Sequence, residues 1–530
     1  MNAALQALHR SGQLRGLLLF LGLIVVGWVM ALWIVSGSAQ MLTMGGIVII
    51  MVIIVGSTVR NWRVGFFLFL PWVLFEDLAR KYLGNGTALF FGKDVLAFVI
   101  YLSLAIAIRR RNVTWFRPPF LIPLALFAAL AVIQVFNTWT PSVIYGLLGL
   151  KLYFFYVPLI FVGYALVRTG RELEHFLVYN IVLGILIGAL GIIQSVIGFS
   201  FLSPATLAPE LQHLGQLTRY SPITHLAVVA PTSVFVSTGR FDAFVVLTII
   251  LALGAQAYLL LKRRNHAVYG FLGIGTAFVA AMQSGSRGCI IYTVMCALVL
   301  SAGFLWGAPW RWGRGQRLVT AIRRTCLVGA AGLFLMIEVF PASIGASWAF
   351  YSETLSPTSS ASELRYRSWD YPIAGLEQAF QHERWLYGYG TGTASLGTEY
   401  VARLLDQPQI NNWVENGWGE LILEMGILGP VLWLIWSGSV LYYAWKIVRH
   451  LRGTIYFPVA FSIFWYAFLL LIPFTYGGLS SYQNYVMNAY FWLLMGVLYR
   501  LPHLARQEVV GASQVTAPTL HGFAAYPGGR

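Results

Sequence analysis

The sequence predicts an all-α, polytopic helical membrane protein with about 14 membrane-spanning helices and one large outward loop containing short helices. Three observations carry this. Apolar residues make up 58% of the 530-residue chain and charged ones 10%, against roughly 25% charged residues in a soluble domain. Runs of about 20 apolar residues recur along the chain, and in lipid each can satisfy its backbone only as a helix. The net charge of +16 lies in short basic clusters between those runs, which is a topology signal rather than a nucleic-acid patch.

The first run, 16–36, follows Arg10 and Arg15 and reads as an uncleaved first span, since no convincing small-residue cleavage pattern follows it. Runs 41–58 and 64–79 meet at Arg60 and Arg63, and 94–108 ends at Arg109, Arg110 and Arg111, with Arg117 in the same cluster. Runs 118–136 and 142–166 lead to Arg168 and Arg171, and 177–198 then goes outward. The outward segment 199–240 follows. Its part 221–240 carries Pro222, Pro231 and several hydroxyls and reads as a re-entrant or interfacial piece. Runs 241–261 and 267–283 meet at Lys262, Arg263 and Arg264. The run 288–308 ends in the basic stretch from Arg311 to Arg324, and 326–345 leads out to the large loop, 346–415. Runs 416–445 and 454–475 meet at Lys446, Arg449 and Arg452, and 485–499 ends at Arg500 and Arg506. Residues 1–500 therefore read as one transmembrane domain, and 501–530 as a flexible cytoplasmic tail.

The clusters fall on alternate connections, so the positive-inside rule places both termini in the cytoplasm and the large loop outside. With Arg530 they hold 24 of the 35 Lys and Arg residues, leaving 11 where a cation is costly unless it meets a cavity, a partner or an anion. Arg287, in Gln283-Ser-Gly-Ser-Arg287-Gly288, is the foremost of these, because small neighbours allow close approach. It reads as a planar clamp for a diphosphate or carboxylate, or as a structural partner for a buried carboxylate. Arg365 and Arg367 alternate with aromatics, and on a helix Arg365 would share a face with Trp369. They form a second anion site with a sugar-stacking platform, or a solvated face. Arg219 and Arg240 bracket the other outward segment and would complete an electropositive cavity, with snorkelling as the alternative for Arg240. Lys151 is a further buried-cation candidate.

Among the acids, Glu415 stands near a helix start, where negative charge is favoured. It reads as a base for a sugar hydroxyl, or as a cap or counter-ion. Glu420 and Glu424 share a helical face and read as structural counter-ions. Trp369, Tyr389, Trp413 and Trp418 offer stacking faces, and His382 is another acid or base candidate. The turn Gly388-Tyr389-Gly390-Thr391-Gly392 reads as a tight turn with exposed backbone and not as a dinucleotide motif. Cys289, Cys296 and Cys326 read as small packing residues. The chain has no Asp-x-Asp pair, no phosphate-binding Gly-x-x-x-x-Gly-Lys loop and no histidine pair with metal spacing. No metal, nucleotide or other cofactor is therefore expected.

Ser-Gly-Ser-Arg287-Gly288, a large loop with Arg365-x-x-x-Trp369, Gly388-Tyr-Gly-Thr-Gly, and Glu415-Asn416 followed by Glu424-Met-Gly426-Ile-Leu-Gly429 stand in this order. Over roughly residues 240 to 445 this resembles the bacterial O-antigen ligase and polymerase superfamily. The resemblance implies a glycosyltransferase of the bacterial inner membrane with its active site facing the periplasm. Its donor would be an undecaprenyl-diphosphate-linked glycan, without metal or nucleotide sugar. Arg287 and Arg365 or Arg367 would bind the diphosphate, with Asn416 beside Glu415 at the end of the loop. Ligases of the superfamily commonly carry a His-Asn pair where this chain has Glu415-Asn416. That departure favours a polymerase over a ligase acting on lipid A core. A lipid-linked oligosaccharide flippase and a non-catalytic scaffold of an export complex are the further alternatives. The expected partners are the lipid bilayer, the lipid-linked glycan and other polysaccharide assembly or export proteins, and no nucleic acid.

Overall fold

The computed structural model describes residues 39–83, 87–110, 116–203, 217–262, 266–307, 337–406, 410, 412 and 414–516, with seven scattered residues between 316 and 334. It is 77% helix and 2% strand, so the mostly helical expectation is met, with a two-stranded hairpin added. Among the described residues seven helical stretches are long and apolar enough to cross a membrane, and three further apolar helices are shorter. The run 16–36 lies outside the described residues.

The chain divides into two compact units after Ser103. In the first, α1 (Ala39–Arg60) turns through Asn61 into α2 (Trp62–Leu83), and α3 (Thr87–Arg109) begins. Asn61 Oδ1 accepts from the Arg63 N–H at 3.1 Å, which caps α2. A buried ion pair joins α2 to α3, with Lys93 Nζ 2.6 Å from Glu76 Oε1, and a second lies within α2, where Arg80 Nη1 pairs with Asp77 Oδ1 at 2.9 Å. Desolvation consumes much of what such pairs return, but removing one partner would strand the other.

The second unit contains α4 (Leu121–Val135), α5 (Val143–Phe154), α6 (Leu159–Leu166) and α7 (Gly170–Ile197). The hairpin β1 (Leu217–Tyr220) and β2 (Ala227–Ala230) comes next, then α8 (Thr238–Leu261), α9 (Ala267–Gln283) and α10 (Arg287–Gly307). After these come α11 (Pro341–Leu355), a π-helical turn (Tyr366–Asp370), α12 (Tyr371–Gln381) and α13 (Thr398–Leu404). The last elements are α14 (Gly417–Met425), α15 (Leu428–His450), α16 (Phe457–Leu469) and α17 (Tyr485–Thr516).

α8 is apolar all round and 83% of its membrane-length window is buried, against 28% for α10, so α8 forms the centre of the bundle. Lipid provides no hydrophobic drive between helices, and close packing takes its place. α6 and α17 show this. A Cβ on Gly163 would collide with the Leu493 carbonyl, and one on Gly496 with the Ile160 carbonyl. Trp433 and Trp436 of α15 meet edge to face at 5.0 Å, Phe127 of α4 sits edge-on to Trp433 at 5.6 Å, and Trp492 of α17 stacks on Trp436. Each such pair contributes about 0.5–1.5 kcal/mol beyond its burial.

Four expectations change. Segment 221–240 is not a re-entrant helix, because β2 pairs antiparallel with β1 and α8 starts at Thr238. Run 416–445 is two helices, because Gly426 has φ +70 and turns the chain between α14 and α15. Helix α11 ends at Leu355, inside the expected loop. α17 continues to Thr516, past the expected start of the tail at 501; residues 517–530 lie outside the described residues.

Candidate functional site

Three arginines from separate elements converge on one cavity of about 680 Å³ in the second unit: Arg219 of β1, Arg287 at the start of α10, and Arg367 of the π turn. Glu363 lines it too, and Tyr292 and Tyr476 supply aromatic faces.

Each cation is aimed by local structure. Between α9 and α10, Ser284 Oγ accepts from the Ser286 N–H at 3.1 Å, and Ser286 Oγ accepts from the Cys289 N–H at 3.4 Å. This capped helix start presents Ser286, Arg287 and Gly288 to the cavity, so the positive end of a helix dipole reinforces the guanidinium. A Cβ on Gly288 would meet nothing within 4 Å, which leaves the approach open. Arg219 Nη1 donates to the Gly285 carbonyl at 2.6 Å. Its hairpin is held by Glu353 of α11, whose Oε2 accepts from the Ile223 N–H at 2.7 Å and whose Oε1 accepts from the Thr224 N–H at 3.2 Å. Arg287 Nη1 donates to Glu363 Oε2 at 2.6 Å, and its guanidinium lies 5.6 Å over the Phe350 ring. Arg367 Nε is 3.3 Å from the same Glu363 oxygen, and its Nη1 is 3.9 Å from Glu415 Oε2.

Three guanidiniums against one lining carboxylate make the cavity electropositive. Burial lowers the Arg219 pKa; Asp242 opposes this, while the like charges of Arg287 and Arg367 add to it. Arginine stays charged regardless, and Glu363 is the lining carboxylate that offsets this crowding, at Arg287 and Arg367. Burial also raises the Glu415 pKa above its ordinary value, against the pull of Arg367, and a raised carboxylate is a better proton acceptor near neutral pH. The arrangement can hold an anion with two charged groups and receive a proton beside it.

The π turn separates Arg367 from Arg365. The Tyr371 N–H bonds the Tyr366 carbonyl five residues back, and of the residues around this turn Arg367 lines the cavity while Arg365 and Trp369 do not. Arg365 is turned out, its side chain 88% exposed, and lies 3.7 Å from Asp370 Oδ2. Trp369 is exposed as well, and neither residue lines the cavity. π turns are often found at functional sites.

The other candidates go elsewhere. Asn416 is a helix cap: its Oδ1 accepts from the Trp418 and Gly419 N–H groups, both at 2.9 Å, while its Nδ2 donates to the Pro372 carbonyl. Tyr389 packs beside buried Ala379, Val414 and Leu423. Arg240 lies in the first turn of α8 with its guanidinium over the Tyr485 ring. His382 meets the Tyr389 ring edge-on. Lys151 is in α5 and does not line the cavity. Trp413 lies outside the described residues. Trp418 meets the edge of Tyr476, at the cavity wall.

Glu424 is fully buried and is held by neutral donors: Ser395 Oγ at 2.5 Å, Tyr153 Oη at 2.7 Å and the Ala394 N–H at 3.2 Å. It is not the counter-ion of a cavity arginine. The Gly388–Gly392 turn is closed rather than open to a glycan. Gln134 Nε2 donates to the Tyr387 carbonyl, Asn137 Nδ2 to the Gly388 carbonyl and Thr140 Oγ1 to the Tyr389 carbonyl. The turn takes positive φ at Gly388, Gly390 and Gly392, and it latches the loop to the corner between α4 and α5.

A second, smaller cavity of about 200 Å³ is lined by Thr393, Ser395, Asn412, Glu420, Ser480 and Gln483 among others. Its hydroxyl, amide and carboxylate groups suit sugar hydroxyls. The segment 473–483 walls both cavities, through Pro473 and Tyr476 on one and Ser480 and Gln483 on the other. Among the described residues no group of three or more His, Cys, Asp or Glu side chains is placed to hold a metal ion.

Sequence reasoning missed Glu353, Tyr292 and Tyr476 as parts of this site, and passed over Glu363. Glu363 had a signal, since it precedes Arg367 by four residues; the other three become visible only once distant segments meet. No protein-family model, characterised protein or solved structure matches the chain.

Proposed function

We propose that this protein is a membrane glycosyltransferase that polymerises a diphosphate-linked glycan, transferring it from its undecaprenyl carrier to another lipid-linked repeat unit. The observation that carries this is the convergence of Arg219, Arg287 and Arg367 on one cavity, with Glu415 beside Arg367. The order of motifs resembling O-antigen polymerases supports it. The same reading places the protein in the bacterial inner membrane, with cytoplasmic termini and the cavity on the periplasmic side.

In the proposed reaction Arg287 and Arg367 hold the two phosphate groups, and Arg219 adds to the positive field. The acceptor hydroxyl oxygen attacks the anomeric carbon of the donor. The bond from that carbon to the phosphate oxygen breaks, and its electron pair leaves with the diphosphate. The guanidiniums stabilise that charge as it develops, and Glu415 takes the hydroxyl proton. Attack opposite the leaving group inverts the anomeric centre. Tyr292 and Tyr476 offer ring faces to sugars, and the smaller cavity suits a neutral residue of the glycan. Fixing two lipid-tethered substrates together supplies much of the acceleration.

The test is product analysis with purified protein and lipid-linked repeat units. Long lipid-linked polymer is the expected product. Glycan appearing on added lipid A core instead would make the protein a ligase, and no transfer to either acceptor would remove the glycosyltransferase reading.

A further inference from the structure

The fork between Arg287 and Arg367 is already filled by an anion that belongs to the chain. Glu363 Oε2 accepts from Arg287 Nη1 at 2.6 Å and stands 3.3 Å from Arg367 Nε, so one carboxylate oxygen bridges two guanidiniums. This pair of cations is the one to which the proposed reaction assigns the diphosphate. The Glu363 side chain is 37% exposed and Arg287 22% exposed, so the contact is partly screened and open to exchange. The surrounding backbone allows that exchange. The Glu363 N–H is tied to the Thr354 carbonyl, while the preceding residues are held by single turns, Ser359 N–H to Ser356 and Ser362 N–H to Ser359. The side chain can therefore swing while its backbone stays in place.

We infer that Glu363 is an internal competitor for the anion site: it neutralises Arg287 and Arg367 in the empty cavity, yields to a ligand with two linked phosphates, and returns as the diphosphate product leaves. The inference rests on the diphosphate reading above and adds a source of selectivity. A single phosphate that displaces Glu363 from one guanidinium still faces the carboxylate held by the other. Two linked phosphates reach both arginines, displace the carboxylate altogether and gain bidentate contacts in its place. Glu363 is thus a specificity-determining residue that acts through the arginines and takes no part in bond breaking.

The experiment measures binding of inorganic pyrophosphate and of inorganic phosphate to the full-length protein purified in detergent. Wild type, Glu363→Gln, Glu363→Ala and Arg287→Ala are compared. Wild type is expected to prefer pyrophosphate. Both Glu363 variants should bind both anions more tightly, with phosphate gaining more, so that the preference falls about tenfold. A purely structural Glu363 would instead weaken both anions together. Unchanged or weakened binding in both Glu363 variants, with pyrophosphate still dependent on Arg287, would overturn the inference and leave the diphosphate site standing. Pyrophosphate binding that is indifferent to Arg287, or absent from wild type and both Glu363 variants, would overturn both.

Discussion

Arg367 Nη1 lies 3.9 Å from Glu415 Oε2, at the point where the loop turns into α14. The cation assigned to the leaving diphosphate and the carboxylate assigned to the incoming proton are thus neighbours. Arg367 lowers the Glu415 pKa while burial raises it, and burial prevails.

Glu415 must be ionised to accept a proton, so activity should fall as pH drops through its pKa. Because that pKa is raised, the acid limb of the kcat/KM profile should lie above the ordinary carboxylate value of about 4.3. Glu415→Gln should remove this limb and lower kcat by about 10²–10⁴-fold, the usual worth of a positioned base. Pyrophosphate binding should persist in the variant. A Gln variant with full activity would exclude Glu415 as the base.

Glu424 should matter for stability. Its carboxylate satisfies the neighbours Ala394 and Ser395 and, from a distant helix, Tyr153, all of them buried. Glu424→Ala would leave three donors unpaired, at about 1–3 kcal/mol for each buried group. Thermal unfolding of the purified variant should show a loss of at least about 3 kcal/mol. An unchanged melting temperature would contradict the assignment.

Two glycines should respond differently to alanine. Gly390 has φ +110, and a Cβ there would collide with Thr140 Oγ1. Gly390→Ala should therefore destabilise by more than about 2 kcal/mol, the sum of strain and overpacking. Gly288 has open space, so Gly288→Ala should change stability by less than about 1 kcal/mol. Thermal unfolding of the pair, run side by side, checks both.

The topology is open to reporter fusions. Alkaline phosphatase inserted after Ser359, in the loop that carries Glu363, should be active, and a fluorescent protein at the C-terminus should fluoresce in the cytoplasm. The opposite pattern would place the cavity on the wrong face for a periplasmic donor.

The sequence showed much of the helical frame. Runs 241–261 and 288–308 match α8 and α10 to within a few residues, because an apolar run long enough to span lipid has one way to satisfy its backbone. α7 starts at Gly170 rather than 177, since Thr169 and Glu172 form a capping box that extends it through a polar first turn. Arg219, Arg287 and Arg367 were legible as charges out of place. Other features depended on contacts between residues far apart in the chain. The Gly388–Gly392 turn looked open because its partners, Gln134, Asn137 and Thr140, lie about 250 residues away. Asn416 looked like a ligand-binding residue, and only the α14 backbone shows it as a cap. Arg365 and Arg367 could not be told apart because both alternate with aromatics, and only the meeting of distant segments places Arg367 at the cavity beside Arg287 and Glu415.

The most direct measurement is transfer by reconstituted Arg287→Ala and Arg367→Ala proteins supplied with lipid-linked repeat units. Each substitution removes a donor from the charge that develops on the leaving diphosphate, and kcat/KM should fall about 10²–10³-fold in each folded variant. Arg365→Ala, whose side chain points out to solvent, should stay within a few-fold of wild type. Full polymer length and rate in the Arg287→Ala and Arg367→Ala proteins would contradict the account.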